Sequence, residues 1–508
     1  MKFFREKIED REYQARIFET AKTGNTLVVL PTGLGKTIIS AMLINFRLEK
    51  YPSSKVLFLA PTKPLIDQHY RTFASFTSLK LETASGSVSS KERAVKYVDA
   101  QLVFATPQTI ENDLEKGIID FRGFSLLIVD EAHHTIGNYS YVKIAKSYSE
   151  KALHPLILGL TASPASDREK IKAICSNLQI TNVEIRSEDD ADVAPYIKKK
   201  EIEEIKVELP QEMLELANDL KNLIKDCINE LQEAGLLKNV QPGRINRVTI
   251  LLLQKSLQRQ MFRGKRAYYL IRGIIITSKL LKLYHAYNLL STQSLKAFMN
   301  FITKIESGKA KTDRELSSDK RFMDIKLKTA RMLDKGIEHP KLSRLEYIFK
   351  SHFDESKKAI IFAQYRDTVD VICNSVSEIS GMRPIKFIGQ GKGGLSQKEQ
   401  IGIIKDFEAG VYNVLVSTSV SEEGMSIKGV DLAVFYETIP SAIRNIQRRG
   451  RVGRFSAGKI FILITKGTND EGYYWLSKKR EKTMKRIVKD IKENPDTMKQ
   501  DGTLGPFV

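Results

Sequence analysis

The sequence predicts an α/β protein in which two doubly wound parallel-sheet domains flank an inserted helical domain. Short apolar runs of strand length occur at residues 26–30, 55–60 and 126–129, separated by amphipathic stretches. These runs are rich in valine, leucine and isoleucine and do not alternate with polar residues, which is typical of strands buried on both faces of a parallel sheet. Similar runs return at residues 359–363 and 414–417. We therefore expect one parallel sheet in each of these two regions.

The region between the two predicted sheets has a different character. From about residue 190 to residue 335 strand-like runs disappear, and stretches such as 211–235 carry helical periodicity. A chain of 508 residues is long enough for about three domains of roughly 100–200 residues each. We predict a first α/β domain at residues 1–185, a helical insert at 186–335, a second α/β domain at 336–480 and a charged tail at 481–508.

The chain is strongly basic, with 81 Lys+Arg against 61 Asp+Glu and a net charge of +20. Such an excess concerns the partners of a protein rather than its fold. Nucleic acid is the first candidate partner, and an anionic membrane surface or an unspecialised basic surface are the alternatives.

The cysteines and the hydropathy of the chain argue against several other classes. The three cysteines are far apart and form no CxxC pair, which argues against a structural zinc site and fits a reducing compartment. The first residues lack the apolar core of a signal peptide, and no run of about 18 apolar residues occurs. We therefore expect no membrane span and a cytoplasmic, nucleoid-associated location.

A phosphate-binding loop is predicted at residues 31–37, which read Pro-Thr-Gly-Leu-Gly-Lys-Thr between a predicted strand and a predicted helix. Glycines let backbone N–H groups turn toward phosphate oxygens, and the following helix adds the positive end of its dipole. The candidate nucleotide-binding residues are Thr32, Gly33, Gly35, Lys36 and Thr37. The lysine would reach the β- and γ-phosphates of ATP, and Thr37 would bind Mg²⁺. The strict motif has glycine at the position of Leu30, so this is a variant, and a chance glycine turn is the alternative.

A carboxylate pair, Asp130 and Glu131, directly follows the buried run 126–129. We expect Asp130 to bind Mg²⁺ and Glu131 to polarise the attacking water, while a solvated acidic turn is the alternative. The adjacent His133 and His134 lack the HExxH spacing of a zinc site, so we interpret them as hydrogen-bonding across the cleft.

An arginine-rich segment at residues 446–454 reads Ile-Gln-Arg-Arg-Gly-Arg-Val-Gly-Arg. Arg451 and Arg454 are three positions apart, so they project from one side of a helix. Arginine donors aimed at a γ-phosphate stabilise the transition state of its transfer. Gln447 could position the attacking water, and a plain solvated patch is the alternative reading of this segment.

The predicted insert carries the sharpest local charge bias, since residues 241–305 contain 12 Lys+Arg and no Asp or Glu. A stripe along one helical face is formed by Lys255, Arg259, Arg263 and Arg266. We expect Leu251, Leu252 and Leu257 to point mostly toward a core. The stripe suits duplex phosphates, which carry no sequence information. An ordinary solvated helix face is the alternative, and Gly264 weakens the prediction of one continuous helix.

In chain order, these and further segments resemble the motif series of superfamily 2 helicases, whose motors are two RecA-like domains. The additional matching segments are 11–14 (adenine-sensing), 60–68 (Ia), 105–109 (Ib), 160–164 (III), 360–366 (IV) and 417–426 (V). The resemblance implies adenine- and ribose-side contacts by Arg11, Gln14, Gly424 and Ser426. It implies strand contacts in motifs Ia, Ib, IV and V, where we expect Thr62, Lys63, Gln68, Thr106, Gln364 and Thr418 to bind phosphates. Coupling of hydrolysis to domain motion is implied for His133, His134, Thr161 and Ser163.

Within that superfamily the chain looks like the archaeal Hef helicase module, which is related to the Fanconi-anaemia M helicase. The similarity includes Asp-Glu-Ala-His-His at 130–134 and Tyr-Tyr-Trp at 473–475, and it covers roughly residues 5 to 485. It implies ATP-driven remodelling of branched DNA, such as stalled forks and four-way junctions, in replication-fork repair, with 3′-to-5′ polarity.

Two features limit this resemblance, and a third concerns a possible protein partner. Relatives often carry aspartate at the position of Ser426, so nucleotide selectivity or affinity should differ. No ERKxxxD nuclease motif occurs, so we predict no nuclease activity in this chain. The spacing of Leu504 and Phe507 resembles a peptide that docks on sliding clamps, and a frayed terminus is the alternative.

Two other functions remain open at this point. An RNA-duplex-dependent ATPase or RNA helicase would share the insert and the motor motifs, but such relatives usually bring a zinc-binding domain, for which three cysteines are too few. A catalytically idle binding protein is the second alternative, and the presence of Lys36, Asp130, Glu131 and Arg451 argues against it.

Overall fold

The computed structural model describes residues 2–4, 11–86, 88–137, 139–162, 168–188, 190–197, 201–238, 247–262, 268–389, 393–418, 427, 430–439 and 458–493. Among these residues, no helix combines the length and the hydropathy needed to cross a bilayer.

The first domain is built on a seven-stranded parallel sheet with the strand order β3-β4-β2-β5-β6-β1-β7. The strands are β1 (Thr26–Val29), β2 (Lys55–Leu59), β3 (Leu81–Ala84), β4 (Leu102–Ala105), β5 (Phe124–Val129), β6 (Ile157–Thr161) and β7 (Asn182–Ile185). The central strands β1, β4, β5 and β6 are buried at every position because helices cover both faces of the sheet.

Seven helices surround this sheet in the described part of the first domain. They are α1 (Glu12–Ala21), α2 (Lys36–Lys50), α3 (Lys63–Phe76), α4 (Ser90–Asp99), α5 (Pro107–Glu115), α6 (Tyr139–Lys151) and α7 (Arg168–Asn177). Short 3₁₀ turns lie at Phe121–Gly123, Ala132–Thr135 and Ala194–Tyr196. Two apolar clusters, one on each face of the sheet, form the core of the domain.

The middle of the chain forms a helical bundle. Its helices are α8 (Gln211–Glu233), α9 (Arg247–Phe262), α10 (Tyr268–Thr292), α11 (Leu295–Glu306), α12 (Lys311–Ser317) and α13 (Lys320–Asp334). The helix α10 packs against α8, α9, α11 and α12, so it is surrounded by protein and carries apolar residues on most sides. One continuous apolar cluster joins the helices of the bundle.

The second domain contains a six-stranded parallel sheet with the strand order β10-β11-β9-β12-β13-β8. The strands are β8 (Glu201–Val207), β9 (Ala359–Phe362), β10 (Pro384–Phe387), β11 (Val414–Ser417), β12 (Leu432–Phe435) and β13 (Lys459–Thr465). The described helices of this domain are α14 (Pro340–His352), α15 (Arg366–Ser377), α16 (Gln397–Ala409) and α17 (Asn469–Glu493).

Strand β8 corrects one expectation from the sequence. We predicted no strand between about residue 190 and residue 335, yet all seven residues of β8 pair in parallel with β13. As the edge strand of its sheet, β8 is largely exposed and reads Glu-Ile-Glu-Glu-Ile-Lys-Val, so it lacks the apolar run of a buried strand. The chain therefore enters the second sheet before it forms the bundle.

The helix α17 runs across the predicted boundary at residue 480 and connects the two α/β domains. It begins beside β13, and its far end returns to the first domain, where Ile491 is buried in the core cluster. The guanidinium of Arg168 on α7 lies 3.2 Å from a carboxylate oxygen of Asp490. The part of the predicted charged tail that the structure describes is therefore a docked helix, while the limits of the domains stay predictions.

Candidate functional site

The loop between β1 and α2 has the geometry of an anion cradle. Gly33 and Gly35 adopt φ values of 88° and 82°, in the left-handed region that favours glycine. Lys36 begins α2, and its Nζ donates a hydrogen bond to the backbone carbonyl of Leu30 at 3.0 Å. The loop thus presents backbone N–H groups and the positive end of a helix dipole at one place.

The helix α1 holds this loop from the side. Nε2 of Gln14 donates to the carbonyl of Leu34 at 3.0 Å, and the hydroxyl of Tyr13 donates to the same carbonyl at 2.7 Å. A Cβ atom added to Gly35 would overlap Nε2 of Gln14, so a larger residue here would push that side chain away in addition to straining the left-handed backbone.

Arg11 lies at the start of α1 and contacts a residue that the sequence analysis missed. Its guanidinium lies 4.8 Å from the ring centroid of Tyr196, and that ring packs edge-on against Tyr13 at 5.7 Å. Tyr196 belongs to the segment that leaves the first domain, so the exit of the chain packs beside the predicted adenine contacts.

The Asp130 carboxylate lies at the end of β5 and is almost completely buried. Nε2 of His69, on α3, lies 2.7 Å from Oδ2 of Asp130. Burial by itself would raise the pKa of Asp130, but the hydrogen bond and charge of His69 and the charge of Lys36 outweigh it, so this pKa lies below its ordinary value. Asp130 is therefore an ionised carboxylate held beside the phosphate loop.

The oxygen donors at this place fit Mg²⁺ bound together with a nucleotide. Asp130 supplies a carboxylate, and Thr37 lies in the first turn of α2 next to Lys36. Within the described ranges, no group of three His, Cys, Asp or Glu side chains could hold a metal ion. Magnesium keeps several waters and commonly takes one or two carboxylates plus substrate phosphates, so a small protein donor set is sufficient.

His133 and Thr161, both predicted to couple hydrolysis to domain motion, lie in contact just beyond Asp130. Glu131 has a left-handed backbone with φ 50°, which is costly for a residue with a side chain and is often found at functional sites. Nδ1 of His133 lies 3.3 Å from Oε2 of Glu131 and 3.2 Å from Oγ1 of Thr161 at the end of β6. The ring of His134 lies 4.4 Å from that of His133.

A groove lies at the carboxyl edge of the first sheet, where α3 and α5 begin. It has a volume of about 500 Å³. We call it the α3–α5 groove. Its polar and aromatic lining comprises Lys63, Tyr70, Arg71, Thr83, Ser85, Lys96 and Thr106 together with the carboxylates of Asp67 and Glu82. Both helices direct their N-terminal ends to this edge, which favours phosphate groups. Oγ1 of Thr62 and Oε1 of Gln68 are buried without a hydrogen-bond partner among the described residues.

The second α/β domain presents its own predicted strand contacts at the ends of β9 and β11. Gln364 is exposed, and Thr418 is buried with its backbone N–H donating to the carbonyl of Phe387 at 3.1 Å. Nε2 of Gln397 on α16 donates to Oδ2 of Asp67 on α3 at 3.1 Å. The second domain therefore contacts the first at the helix that lines the α3–α5 groove.

Three family models match successive parts of the chain. "Type III restriction enzyme, res subunit" matches residues 7–166, "Putative ATP-dependent RNA helicase, helical bundle" matches residues 212–335, and "Helicase conserved C-terminal domain" matches residues 340–456. The crystal structure of the Pyrococcus furiosus Hef helicase domain is 41% identical in sequence, with a TM-score of 0.71, and the match covers 92% of this chain and 98% of that chain. The chain belongs to the Hef helicase family. The predicted fold class, two RecA-like domains with an inserted helical domain, is thereby confirmed.

Curated relatives of this Hef-family chain are longer. A Methanocaldococcus jannaschii protein described as "Putative ATP-dependent RNA helicase" is 40% identical over 95% of this chain and 61% of its own length. The ATP-dependent DNA helicase mph1 of Neurospora crassa is 32% identical over 94% of this chain and 43% of its own length. The chain thus spans less than two thirds of these relatives.

The insert of this Hef-family chain carries part of the predicted basic stripe. Lys255 and Arg259 are both exposed on α9, one helical turn apart. Of the three leucines expected to point mostly toward a core, Leu257 is 2% exposed, but Leu251 is 37% and Leu252 is 63% exposed. This part of the prediction was wrong because α9 packs mainly against α10, which covers only a narrow side of the helix.

Several predicted site residues lie outside the residues that the structure describes. These are Ser163, Arg263, Arg266, Gly424, Ser426, Gln447, Arg451, Arg454, Leu504 and Phe507. In contrast, His69 and Tyr196 are site residues that the sequence analysis missed. His69 directly follows the predicted strand contact Gln68, and its place next to the matching segment 60–68 was the one signal that could have drawn attention to it.

Proposed function

We propose that the chain is an ATP-dependent DNA helicase or translocase that remodels branched DNA, such as stalled forks and four-way junctions, in replication-fork repair. The observation that carries the proposal is that Lys36 lies near enough to the buried Asp130 for its charge to help lower the pKa of that carboxyl, within a fold that matches the Hef helicase domain over 98% of that domain. The description of the Neurospora crassa relative as an ATP-dependent DNA helicase supports DNA as the substrate.

The chemical step is hydrolysis of the γ-phosphate of ATP. Lys36 and the backbone N–H groups of the loop hold the phosphates. Thr37 and Asp130 would hold Mg²⁺, which would supply positive charge to the phosphate oxygens when bound. Glu131 orients a water molecule and accepts its proton as the water oxygen bonds to the γ-phosphorus. The bond to the bridging oxygen breaks, and ADP carries away the electron pair. Arg451 and Arg454 would stabilise the transferring phosphoryl group from the second domain.

Movement along DNA would follow from holding one strand at two places. The α3–α5 groove binds the backbone in the first domain, and Gln364 and Thr418 bind it in the second. ATP brings the two domains together and hydrolysis lets them separate, so alternate gripping produces a step. We propose 3′-to-5′ polarity for this movement.

The bundle would supply the preference for branched DNA. Lys255 and Arg259 are exposed on a segment of the chain that has no acidic side chain between residues 241 and 305. Phosphate contacts of this kind bind duplex arms without reading their sequence. Binding of a duplex arm by the insert while the motor holds a single strand would place the enzyme at the branch point. Docking on a sliding clamp through Leu504 and Phe507, the absence of nuclease activity and a cytoplasmic location remain predictions.

The test is ATP hydrolysis by the purified chain with forked DNA, a four-way junction, linear duplex, single strand and duplex RNA in parallel, at one fixed salt concentration. Stimulation by forks and junctions well above linear duplex is the expected result. A second candidate, an RNA-duplex-dependent ATPase, is favoured by the description of the Methanocaldococcus relative as an RNA helicase. Stimulation by duplex RNA above every DNA would reject the branched-DNA proposal in favour of this candidate.

A further inference from the structure

The helix α3 contacts three different parts of the molecule. Lys63, Tyr70 and Arg71 line the α3–α5 groove. Asp67 accepts the hydrogen bond from Gln397 of the second α/β domain at 3.1 Å. His69 faces the opposite way, toward the end of β5 and Asp130. One helix of 14 residues therefore touches the proposed strand site, the second domain and the proposed Mg²⁺ ligand.

The side chain of His69 is fixed in this position by its surroundings. The residue is only 8% exposed, and its ring centroid lies 4.5 Å from that of Phe58 on β2. Because an ionised carboxylate only accepts hydrogen bonds, the ring N–H at Nε2 donates to Oδ2 of Asp130 at 2.7 Å. Among the described residues, His69 is the one side chain that hydrogen-bonds to this carboxylate.

Lys63 in the groove and His69 beside Asp130 are close enough along α3 for a displacement at one to be carried to the other by the rigid helix. Lys63 and His69 are six positions apart, which corresponds to about 9 Å along a helix axis. A movement of α3 caused by a strand in the groove, or by the second domain through Asp67, moves the ring of His69 with it. Groups that hydrogen-bond to a metal ligand orient that ligand and commonly change metal affinity by about 10–100-fold.

We propose that His69 is a positioning residue that couples strand binding in the α3–α5 groove to the orientation of Asp130, and thereby to binding of Mg²⁺ and nucleotide. This inference rests on the proposed function, because it takes the groove as a strand site and Asp130 as a Mg²⁺ ligand. Coupling between two binding sites is reciprocal, so nucleotide must raise strand affinity by the same factor by which the strand raises nucleotide affinity.

The experiment measures binding, not turnover, at one fixed pH. The dissociation constant of a fluorescent single-stranded oligonucleotide is determined without nucleotide and with a saturating non-hydrolysable ATP analogue plus Mg²⁺. The ratio of the two values is the coupling factor, for which about 5–150-fold is usual. The proteins are wild type, His69→Ala, His69→Gln, which keeps an N–H donor at a similar reach, and the exposed control His154→Ala.

We expect His69→Ala to lower the coupling factor at least fivefold while the oligonucleotide alone binds within threefold of wild type. His69→Gln should restore most of the coupling, and His154→Ala should leave it unchanged. An unchanged coupling factor in His69→Ala would overturn the inference. So would loss of binding of each ligand alone together with a large fall in thermal stability, since His69 would then be a structural residue. Failure of the proposed function would show separately, in wild type, as absence of stimulation by DNA in the hydrolysis assay.

Discussion

Nζ of Lys36 donates a hydrogen bond to the backbone carbonyl of Leu30 at 3.0 Å, so the lysine reaches back across the loop in which it lies. We expect Lys36→Ala to lower ATP hydrolysis by about 10²-fold or more, because a cation aimed at the phosphates is lost. DNA affinity without nucleotide and the melting temperature should stay near wild type, and hydrolysis within tenfold of wild type would contradict this role.

Gly35→Ala should weaken nucleotide binding more than its backbone strain alone explains. The new Cβ would meet Nε2 of Gln14 at 2.3 Å, so it would displace the side chain that holds Leu34. The matched control is Gly117→Ala, because Gly117 also has a positive φ, 67°, but no atom lies within 4 Å of its added Cβ. Titration with a fluorescent nucleotide should show a loss of affinity for the first variant only. Equal affinities of the two variants would contradict the proposed contact.

Reversal of the described charges on α9 should weaken binding of forked DNA. We expect Lys255→Glu with Arg259→Glu to reduce fork affinity about tenfold or more and to lower the salt dependence of binding, because phosphate contacts release counterions. Nucleotide affinity should not change. The control Lys320→Glu with Arg331→Glu makes the same change of charge on α13, where both side chains are also exposed. If the two double variants bind forks equally, the face of α9 has no special role.

The buried ion pair between Lys341 on α14 and Asp470 on α17 should contribute strongly to stability. The two side chains are 0% and 3% exposed, and Nζ of Lys341 also donates to the carbonyl of Thr292 at 2.9 Å. Lys341→Met leaves a buried carboxylate without its partner, which typically costs about 3–5 kcal/mol. Chemical denaturation should therefore show a lower midpoint. The control Lys350→Met removes an exposed partner of Glu346 and should leave the midpoint unchanged.

Stability should fall in mild acid because of His339. Burial, and next the charge of Lys341, lowers the pKa of His339 to about 3. The unfolded chain therefore binds the proton more readily than the folded one once the pH drops below about 6.5. The free energy of unfolding that depends on neutral His339 is fully present above that pH. It is lost as the pH falls, by up to about 1.4 kcal/mol per pH unit.

The denaturation midpoint measured at pH 7, 6 and 5.5 tests this dependence. His339→Asn does not titrate and can still accept the hydrogen bond that His339 accepts from the backbone N–H of Lys341, so its midpoint should fall less across this range. The exposed His154→Asn should follow wild type. If the midpoint of His339→Asn falls with pH as steeply as that of wild type, groups other than His339 cause the pH dependence of stability.

The strands that could be predicted from the sequence are those buried on both sides. All residues of β5 and β9 are buried, and both segments appear in the sequence as uninterrupted apolar runs. The edge strand β8 is exposed at most positions and carries glutamates and a lysine, so its sequence does not show the apolar pattern of a buried strand. Its place beside β13 depends on pairing with a segment more than 250 positions later in the chain, for which a local pattern contains no signal.

The sequence by itself determined the phosphate loop, the carboxylate pair and the family, because their chemistry lies within short runs such as residues 31–37 and 130–134. Only the tertiary structure decided that His69 contacts Asp130 across 61 positions, that Tyr196 stacks on Arg11, and that α17 docks against the first domain. Such contacts are set by how helices and strands pack in three dimensions. Residues that are distant in the chain meet only when the two sheets and their helices have formed.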